Sequence, residues 1–433
     1  MNKGTRLGKR GLPFLFLLPL IACADGGTKA EEAKGNPSIG SSGTVTIWGW
    51  DKPKDNVLQG FKKRYPEISI NYVNISSADI MKKLQVSLAA GGKLPDILMI
   101  ERDFRGQLNH MNLLENLEAA PYEFNRHLIF DYDFPQNSNA NSKVVSIPMD
   151  MSIAGLAYKR ELTKQYFGTD DPKELQALFP NWDQFIAKGK DVLEESGGKV
   201  YMFTSLREAW QIIAGQNPEP YADGNRINVK KLANLFVLIR KLSDAGIIDN
   251  LDKSSPASNT SYAQNNHIFY PAAIWSPRYQ IEPNDKHGSN GRWGLMVPPG
   301  GGFIWGGSSF GIPHKAKNKE QAWKFIQWAF LSQEGAEANK KDGIFTHYKA
   351  AYDHPGFINW TTPWFGKQDI GITFFQDINA VTKYVPLSQY DDTIITNGVL
   401  IALKTLASEP EIGNDELIKK VIQSIKNVAP ELK

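Results

Sequence analysis

Apolar positions along the chain recur at two spacings that take turns. Thr44-Val45-Thr46-Ile47-Trp48 is β-branched and alternating, the mark of a strand. Val57, Leu58 and Phe61 follow at helical spacing, and Tyr65-Pro66 stops that run. Ile68, Ile70 and Tyr72 return to period two. Ser77 is placed to cap a helix with Ile80, Met81, Leu84 and Leu88 on one face, ended by Gly91-Gly92. Ile97-Leu98-Met99-Ile100 is unbroken apolar sequence, as expected of a parallel strand buried on both faces. Such alternation of strand and helix predicts an open α/β sheet with helices on both sides.

A second α/β region follows the extended segment from Val144 to Tyr158. Its predicted helices include Trp182 to Leu193, capped by Asn181, and Val229 to Leu242, capped by Asn228, with Leu232, Ala233, Phe236 and Ile239 as the buried stripe of the latter. Gly- and Pro-rich sequence runs from Gly288 to Gly311. After it Asn318 caps a helix with Ala322, Phe325, Ile326, Ala329 and Phe330 on one face. The C-terminal stretch reads as helical, Leu417, Val421 and Ile425 included, and no repeat of solenoid spacing is present.

The first 22 residues break this pattern. Lys3, Arg6, Lys9 and Arg10 precede an apolar run from Leu12 to Ala22, which is much shorter than the ~20 residues of a membrane-spanning helix. Residues 1–22 therefore read as a secretory signal. Leu20-Ile21-Ala22-Cys23 resembles the lipobox of bacterial lipoproteins, which implies cleavage before Cys23 and acylation of its thiol. Cys23 is the only cysteine, so it builds neither an internal disulfide nor a cysteine metal site. Residues 23–43, rich in Gly, Ser, Ala and charge, read as a flexible tether with a coil dimension of about 25 Å. The folded body from Thr44, about 390 residues, suffices for two domains. The four basic residues of the signal account for more than the whole chain's net +3, leaving the mature protein near −1. That balance gives no reason to expect a nucleic-acid partner.

Val45-Thr46-Ile47-Trp48-Gly49-Trp50, Phe61-Lys62-Lys63-Arg64-Tyr65-Pro66-Glu67-Ile68, Lys83 to Gly91 and Leu94-Pro95-Asp96-Ile97 together resemble family 1 extracellular solute-binding proteins. The likeness recurs at Ile147-Pro148-Met149-Asp150 and Gly155-Leu156-Ala157-Tyr158-Lys159, and is strongest from Gly306 to Phe345. The resemblance implies a two-lobed periplasmic-binding-protein-like (type II) fold of the α/β class, similar to maltose-binding protein, with a ligand cleft between the lobes. It implies an N-lobe of residues 44–152 with 307–342 and a C-lobe of 153–303 with 343–433. The chain would cross between them near Asp150–Gly155, Phe303–Ser309 and Asp342–Phe345. It further implies capture of a sugar by hinge closure, delivery to the membrane subunits of an ABC importer, and a monomer held at the membrane only by its lipid.

A sugar site needs aromatic platforms and fixed hydrogen-bonding groups, carboxylates above all. Eleven tryptophans supply platforms, although most, Trp182 and Trp323 among them, suit the core. Trp50 and Asp51, after the first strand, are cleft candidates, with Gly49 allowing close backbone approach. Trp48 suits core and cleft equally, and Glu101 suits either a ligand contact or a solvated ion pair. Asp150, between Met149 and Met151, is the strongest polar candidate, because an unpaired carboxylate there is costly. Trp275 follows a C-lobe strand, and Trp305, Gly307 and Ser308 mark the second crossing. Trp210 and Tyr348 complete the set. Ser276-Pro277-Arg278 departs from the family pattern, which suggests Arg278 as a reader of a uronate or similar group.

Other chemistries fit less well. Gly307-Ser308-Ser309-Phe310-Gly311 matches G-x-S-x-G, but Ile312-Pro313 continues extended where a nucleophile elbow needs a helix. The seven histidines show no metal-ligand spacing, and no phosphate loop is present, so neither metal nor cofactor is expected. A glycan hydrolase using Asp150 with Glu101, or a surface adhesin, are the alternatives to a non-enzymatic binder.

Overall fold

The computed structural model describes residues 42–253, 255–384 and 387–433. The signal peptide, Cys23 and nearly all of the tether lie outside the described residues. The first strand, β1 (Gly43–Gly49), is followed by α1 (Asp55–Arg64), β2 (Ile68–Asn74), α2 (Ser77–Ala89), β3 (Ile97–Glu101) and α3 (Arg102–His110). The expected alternation is therefore present, with one shift: Ser76 rather than Ser77 caps α2, its hydroxyl accepting the Asp79 N–H at 3.2 Å.

Two sheets organise the chain. The first has the order β2-β1-β3-β9-β4, where β4 is Ser146–Pro148 and β9 is Ser308–Gly311. β1 runs parallel to β2 and β3, whereas β9 is antiparallel to both β3 and β4. β3 thus has a parallel neighbour on one edge only, although it is buried on both faces as its unbroken apolar run requires. In the second sheet β5 (Ile153–Lys159) is central and antiparallel to all its neighbours. It pairs with β6 (Phe269–Ala273) on one edge, and with β7 (Trp293–Met296) and β8 (Phe303–Ile304) on the other. Three of these strands, β7, β8 and β9, lie inside the Gly- and Pro-rich stretch Gly288–Gly311. Strands of two to four residues, two of them carrying glycine, are too short to show a period in sequence.

Helix faces pack the first sheet as the apolar stripes require. Phe61 of α1 meets Phe325 of the helix Lys319–Phe330 edge to face at 5.1 Å, among Val45, Ile47, Met99 and Phe310. Asn318 stands at the N-cap of that helix but does not cap it. Its side-chain amide instead donates to the Thr44 carbonyl at 3.0 Å and to Asp96 Oδ2 at 3.1 Å. Asp96 is the fastener: its buried carboxylate also accepts the N–H groups of Thr46, Lys317 and Asn318 at 2.8–3.0 Å. A late stretch of chain is thereby locked to the first strand.

Three chain segments run side by side between the two sheets. The Met149 N–H donates to the Ser308 carbonyl at 2.8 Å, Met151 N–H to Phe345 at 2.8 Å, and Trp305 N–H to Ser152 at 2.9 Å. Among the described residues no helix is long and apolar enough to cross a membrane.

Candidate functional site

Strand ends supply the first wall of a cleft between the sheets. β1 releases Trp50 and Asp51, β3 ends at Glu101, and β4 leads into Met149-Asp150. The Glu101 carboxylate caps α3 by accepting the Asp103 N–H at 2.7 Å. Burial, with Asp103 beside it, raises the Glu101 pKa to about 8. Asp150 Oδ1 accepts the Ser308 N–H at 3.0 Å, and burial raises this carboxyl to about 6. The Ser308 N–H is held in place by a turn that only glycine makes easily, Gly306 at φ +67° and Gly307 at φ +95°.

The opposite wall comes from the end of β6. Ile274 and Trp275 leave the strand, and Ser276 fixes the following turn by accepting the Ala273 N–H at 2.9 Å. A π-helical turn, Pro277–Ile281, then presents Tyr279. The Trp275 indole N–H donates to the Trp305 carbonyl at 3.2 Å, and the two rings lie 4.8 Å apart at 56°. Between the walls is a cavity of about 260 Å³ that Trp50, Asp51, Glu101, Asp150, Trp275 and Tyr279 line. Met99, Met149, Ile274 and Phe345 make its apolar surface. A larger hollow of about 820 Å³ is lined only by residues 172–180, 296–301 and 368–377, all on the flank of the second sheet. Of these two, the smaller cavity is the one that gathers convergent polar groups from both walls, which makes it the candidate site.

Two buried cations stiffen the first wall from behind. Arg105, 4% exposed, donates from Nη2 to the Gly307 carbonyl at 2.7 Å. His347 contacts Asp133 through Nδ1 at 2.7 Å and the Asp150 carbonyl through Nε2 at 2.9 Å. Burial favours the neutral ring, but the Asp133 charge and hydrogen bond outweigh it and raise the His347 pKa. The protonated ring donates both ways. Among the described residues no group of three His, Cys, Asp or Glu is placed to hold a metal ion.

The family model of bacterial extracellular solute-binding proteins matches residues 56–362. The chain belongs to that family. This solute-binding protein is 30% identical to a lactose-binding protein of Rhizobium radiobacter over 166 residues, a stretch that spans 36% of this chain and 37% of the relative. A crystal structure of a family 1 extracellular solute-binding protein aligns with a TM-score of 0.78 at 19% identity, covering 89% of this chain and 99% of that one. The galacto-N-biose/lacto-N-biose I-binding protein of a Bifidobacterium longum ABC transporter aligns at 0.71 and 16%, covering 90% and 98%. The fold is thus the α/β two-lobed one of the sugar-binding proteins of ABC transporters.

Of the residues singled out in the sequence, the cavity gathers Trp50, Asp51, Glu101, Asp150, Trp275, Gly307 and Ser308. Five do not line it. Trp48 is 8% exposed and packs with Ile80, Leu84 and Leu98 under the Lys83 ammonium. Trp210 is core on the helix Leu206–Gln216, because its face of that helix meets the second sheet. Trp305 stands behind Trp275, with the Lys253 ammonium 4.3 Å over its ring. Tyr348 packs against the core around Phe345 and Phe357. Arg278 is turned away onto Asp342, its guanidinium bonded to that backbone carbonyl and 3.8 Å from the carboxylate. Gly49 approaches Met99 closely, not a ligand: a Cβ there would lie 2.8 Å from its sulfur. Ser309 is buried in β9, its hydroxyl donating to Asn137 Oδ1 at 2.7 Å, so it has no nucleophile's exposure. Tyr279, Ser77 and the Gly343–Phe345 lining were not foreseen. Pro277-Arg278-Tyr279 carries no sequence signal for which side chain enters the cleft, and the cationic one was the more conspicuous.

Proposed function

We propose that the chain captures a carbohydrate in the cleft between its lobes, closes on it by hinge motion and presents the closed form to an ABC permease. One observation carries this reading: the 260 Å³ cavity takes its lining from both sheets, so a single ligand touches both walls. Only contacts made in the closed state drive closure, and a ligand bridging two walls makes such contacts. The chemistry suits a sugar. Carboxylates accept its hydroxyls, and the Trp50 and Trp275 rings cover its C–H faces. The sugars named for the relatives, lactose and lacto-N-biose, support the same class.

The lobes in this reading are residues 44–152 with 307–342 and residues 153–303 with 343–433. The hinge is the set of three adjacent segments joined at Met151–Phe345 and Ser152–Trp305. The mature monomer is held at the membrane by acylated Cys23 and stands off on its tether. We read it as a binder rather than a glycan hydrolase because Glu101 and Asp150 rise from the same wall, whereas glycoside cleavage needs carboxyls flanking the scissile bond.

A thermal-shift screen of the mature protein against mono- and oligosaccharides tests the reading. A ligand at 100 times its dissociation constant adds about 2.7 kcal/mol. Shifts with polyamines or peptides and with no carbohydrate would overturn the assignment. Cys23→Ser releases the protein from the membrane fraction if the anchor is as proposed.

A further inference from the structure

The mouth of the cavity bears on how long a saccharide it takes. The Tyr279 hydroxyl donates to Asp51 Oδ2 at 2.7 Å, bridging residues that are 228 positions apart in sequence. The other oxygen of Asp51 is held by the Lys54 ammonium, which also lies 5.1 Å from the centroid of the Tyr279 ring. Beside this bridge Asn56 Nδ2 donates to Asp342 Oδ2 at 2.9 Å, and Arg278 grips Asp342. Two contacts therefore join the walls across the opening, Tyr279 with Asp51 and Arg278 with Asp342, while Asn56 holds Asp342 on the α1 side.

The cavity they border has a volume of about 260 Å³. That is below the roughly 300–1,000 Å³ of pockets that enclose drug-sized molecules. One sugar ring or a short polyol fits; a second ring has to leave through the mouth, where the Tyr279–Asp51 bridge stands. Charge narrows the class further. Asp51, Glu101 and Asp150 line the cavity, and no Lys, Arg or His is among its described lining residues. Burial keeps Glu101 protonated near neutral pH, so Asp51 and Asp150 are the carboxylates an anionic sugar would face, and no cationic side chain lines the cavity to pair with it.

We infer that the ligand is a single uncharged sugar unit or short polyol, and that Tyr279, closing on Asp51, is the residue that refuses a longer saccharide. The inference rests on the carbohydrate reading above and adds length and charge to it. Admitting a second ring breaks a charge-assisted hydrogen bond, which is worth on the order of tenfold to a hundredfold in affinity.

Titration calorimetry of the mature protein with glucose, galactose, erythritol and threitol, and with lactose, maltose and galacturonate, tests this. The expected result is binding of at least one monosaccharide or tetritol, with its disaccharide weaker by that factor and galacturonate weaker than galactose. In Tyr279→Ala the gap between monosaccharide and disaccharide closes, and in Tyr279→Phe, which keeps the ring and loses the bond, it narrows. Tyr279 is 39% exposed, so neither change disturbs the core; a thermal transition of each variant checks this. Tighter binding of a disaccharide by the unaltered protein, or an unchanged gap in Tyr279→Ala, overturns the inference and leaves the carbohydrate reading standing. Absence of binding by every saccharide and polyol overturns both.

Discussion

On the first wall of the cleft each deep carboxylate has a backbone partner of its own: the Asp103 N–H for Glu101 and the Ser308 N–H for Asp150. Behind them Arg105 and His347 hold the carbonyls of Gly307 and Asp150. On the second wall rings lean on rings, Trp275 on Trp305, and the polar group this wall brings to the cavity, the Tyr279 hydroxyl, is spent on Asp51. The first wall is polar, rigid and directional; the second is apolar and held by packing. Hydrogen bonds fix orientation, whereas aromatic area supplies most of the affinity in a buried contact. The walls should therefore fail differently when cut.

Trp275→Ala removes the platform and is the largest expected loss, about 2–4 kcal/mol of binding, roughly thirtyfold to a thousandfold in dissociation constant by calorimetry. Asp150→Asn keeps shape and removes the charge, and should cost about 1.5–3 kcal/mol. If Asp150→Asn turned out to exceed Trp275→Ala, the division of labour between the walls would be reversed. Asp96→Asn acts on neither wall directly. It weakens the fastening of Thr46, Lys317 and Asn318, and should lower unfolding stability by about 1–3 kcal/mol in urea titrations while the folded protein binds as before. A change in affinity with unchanged stability would mean that the frame and the wall are coupled.

How much of this was legible in sequence follows the same division. The first wall was readable because it sits where strand periodicity ends: Trp50, Asp51 and Glu101 follow clear apolar runs, and Asp150 stands out between two methionines. The antiparallel β9, which completes that sheet, was hidden because its Ser-Ser-Phe-Gly lies in glycine-rich sequence and pairs with strands about 160 and 210 positions earlier, a relation that local pattern cannot carry. On the second wall the sequence pointed to Trp275 but not to Tyr279. The choice between Arg278 and Tyr279 depends on which one a π-helical turn swings inward and on the presence of Asp342 to hold the other. Trp210 and Tyr348 carry the same lesson: an aromatic side chain has one composition signal for core and for cleft.

The two walls also differ in how they respond to pH. Glu101 has a folded pKa near 8, raised by burial, against about 4.3 for an ordinary glutamate in the unfolded chain. Between those values the folded state holds more protons than the unfolded one, so stability falls as pH rises through the window. In Glu101→Gln that component vanishes, and the slope of the melting temperature from pH 5 to pH 8 becomes shallower. Trp275→Phe, on the opposite wall, leaves the slope as it was. An unchanged slope in Glu101→Gln would mean that the carboxyl is better solvated than its position in the cavity implies.

The smallest effect is expected at Arg278, and it is the most discriminating for charge. The sequence suggested that its fork reads an anionic group, but the structure turns it onto Asp342, outside the cavity lining. Arg278→Ala then removes a partly exposed ion pair, a change worth about 0–1 kcal/mol. Affinity for an uncharged sugar should fall by no more than about fivefold, through weaker closure of the mouth rather than a lost ligand contact. The same variant should leave galacturonate as poor a ligand as before, because the carboxylates it would meet, Asp51 and Asp150, are untouched. A selective loss of galacturonate binding in Arg278→Ala would instead put the guanidinium in contact with the ligand, and the second wall would then contribute charge recognition as well as packing.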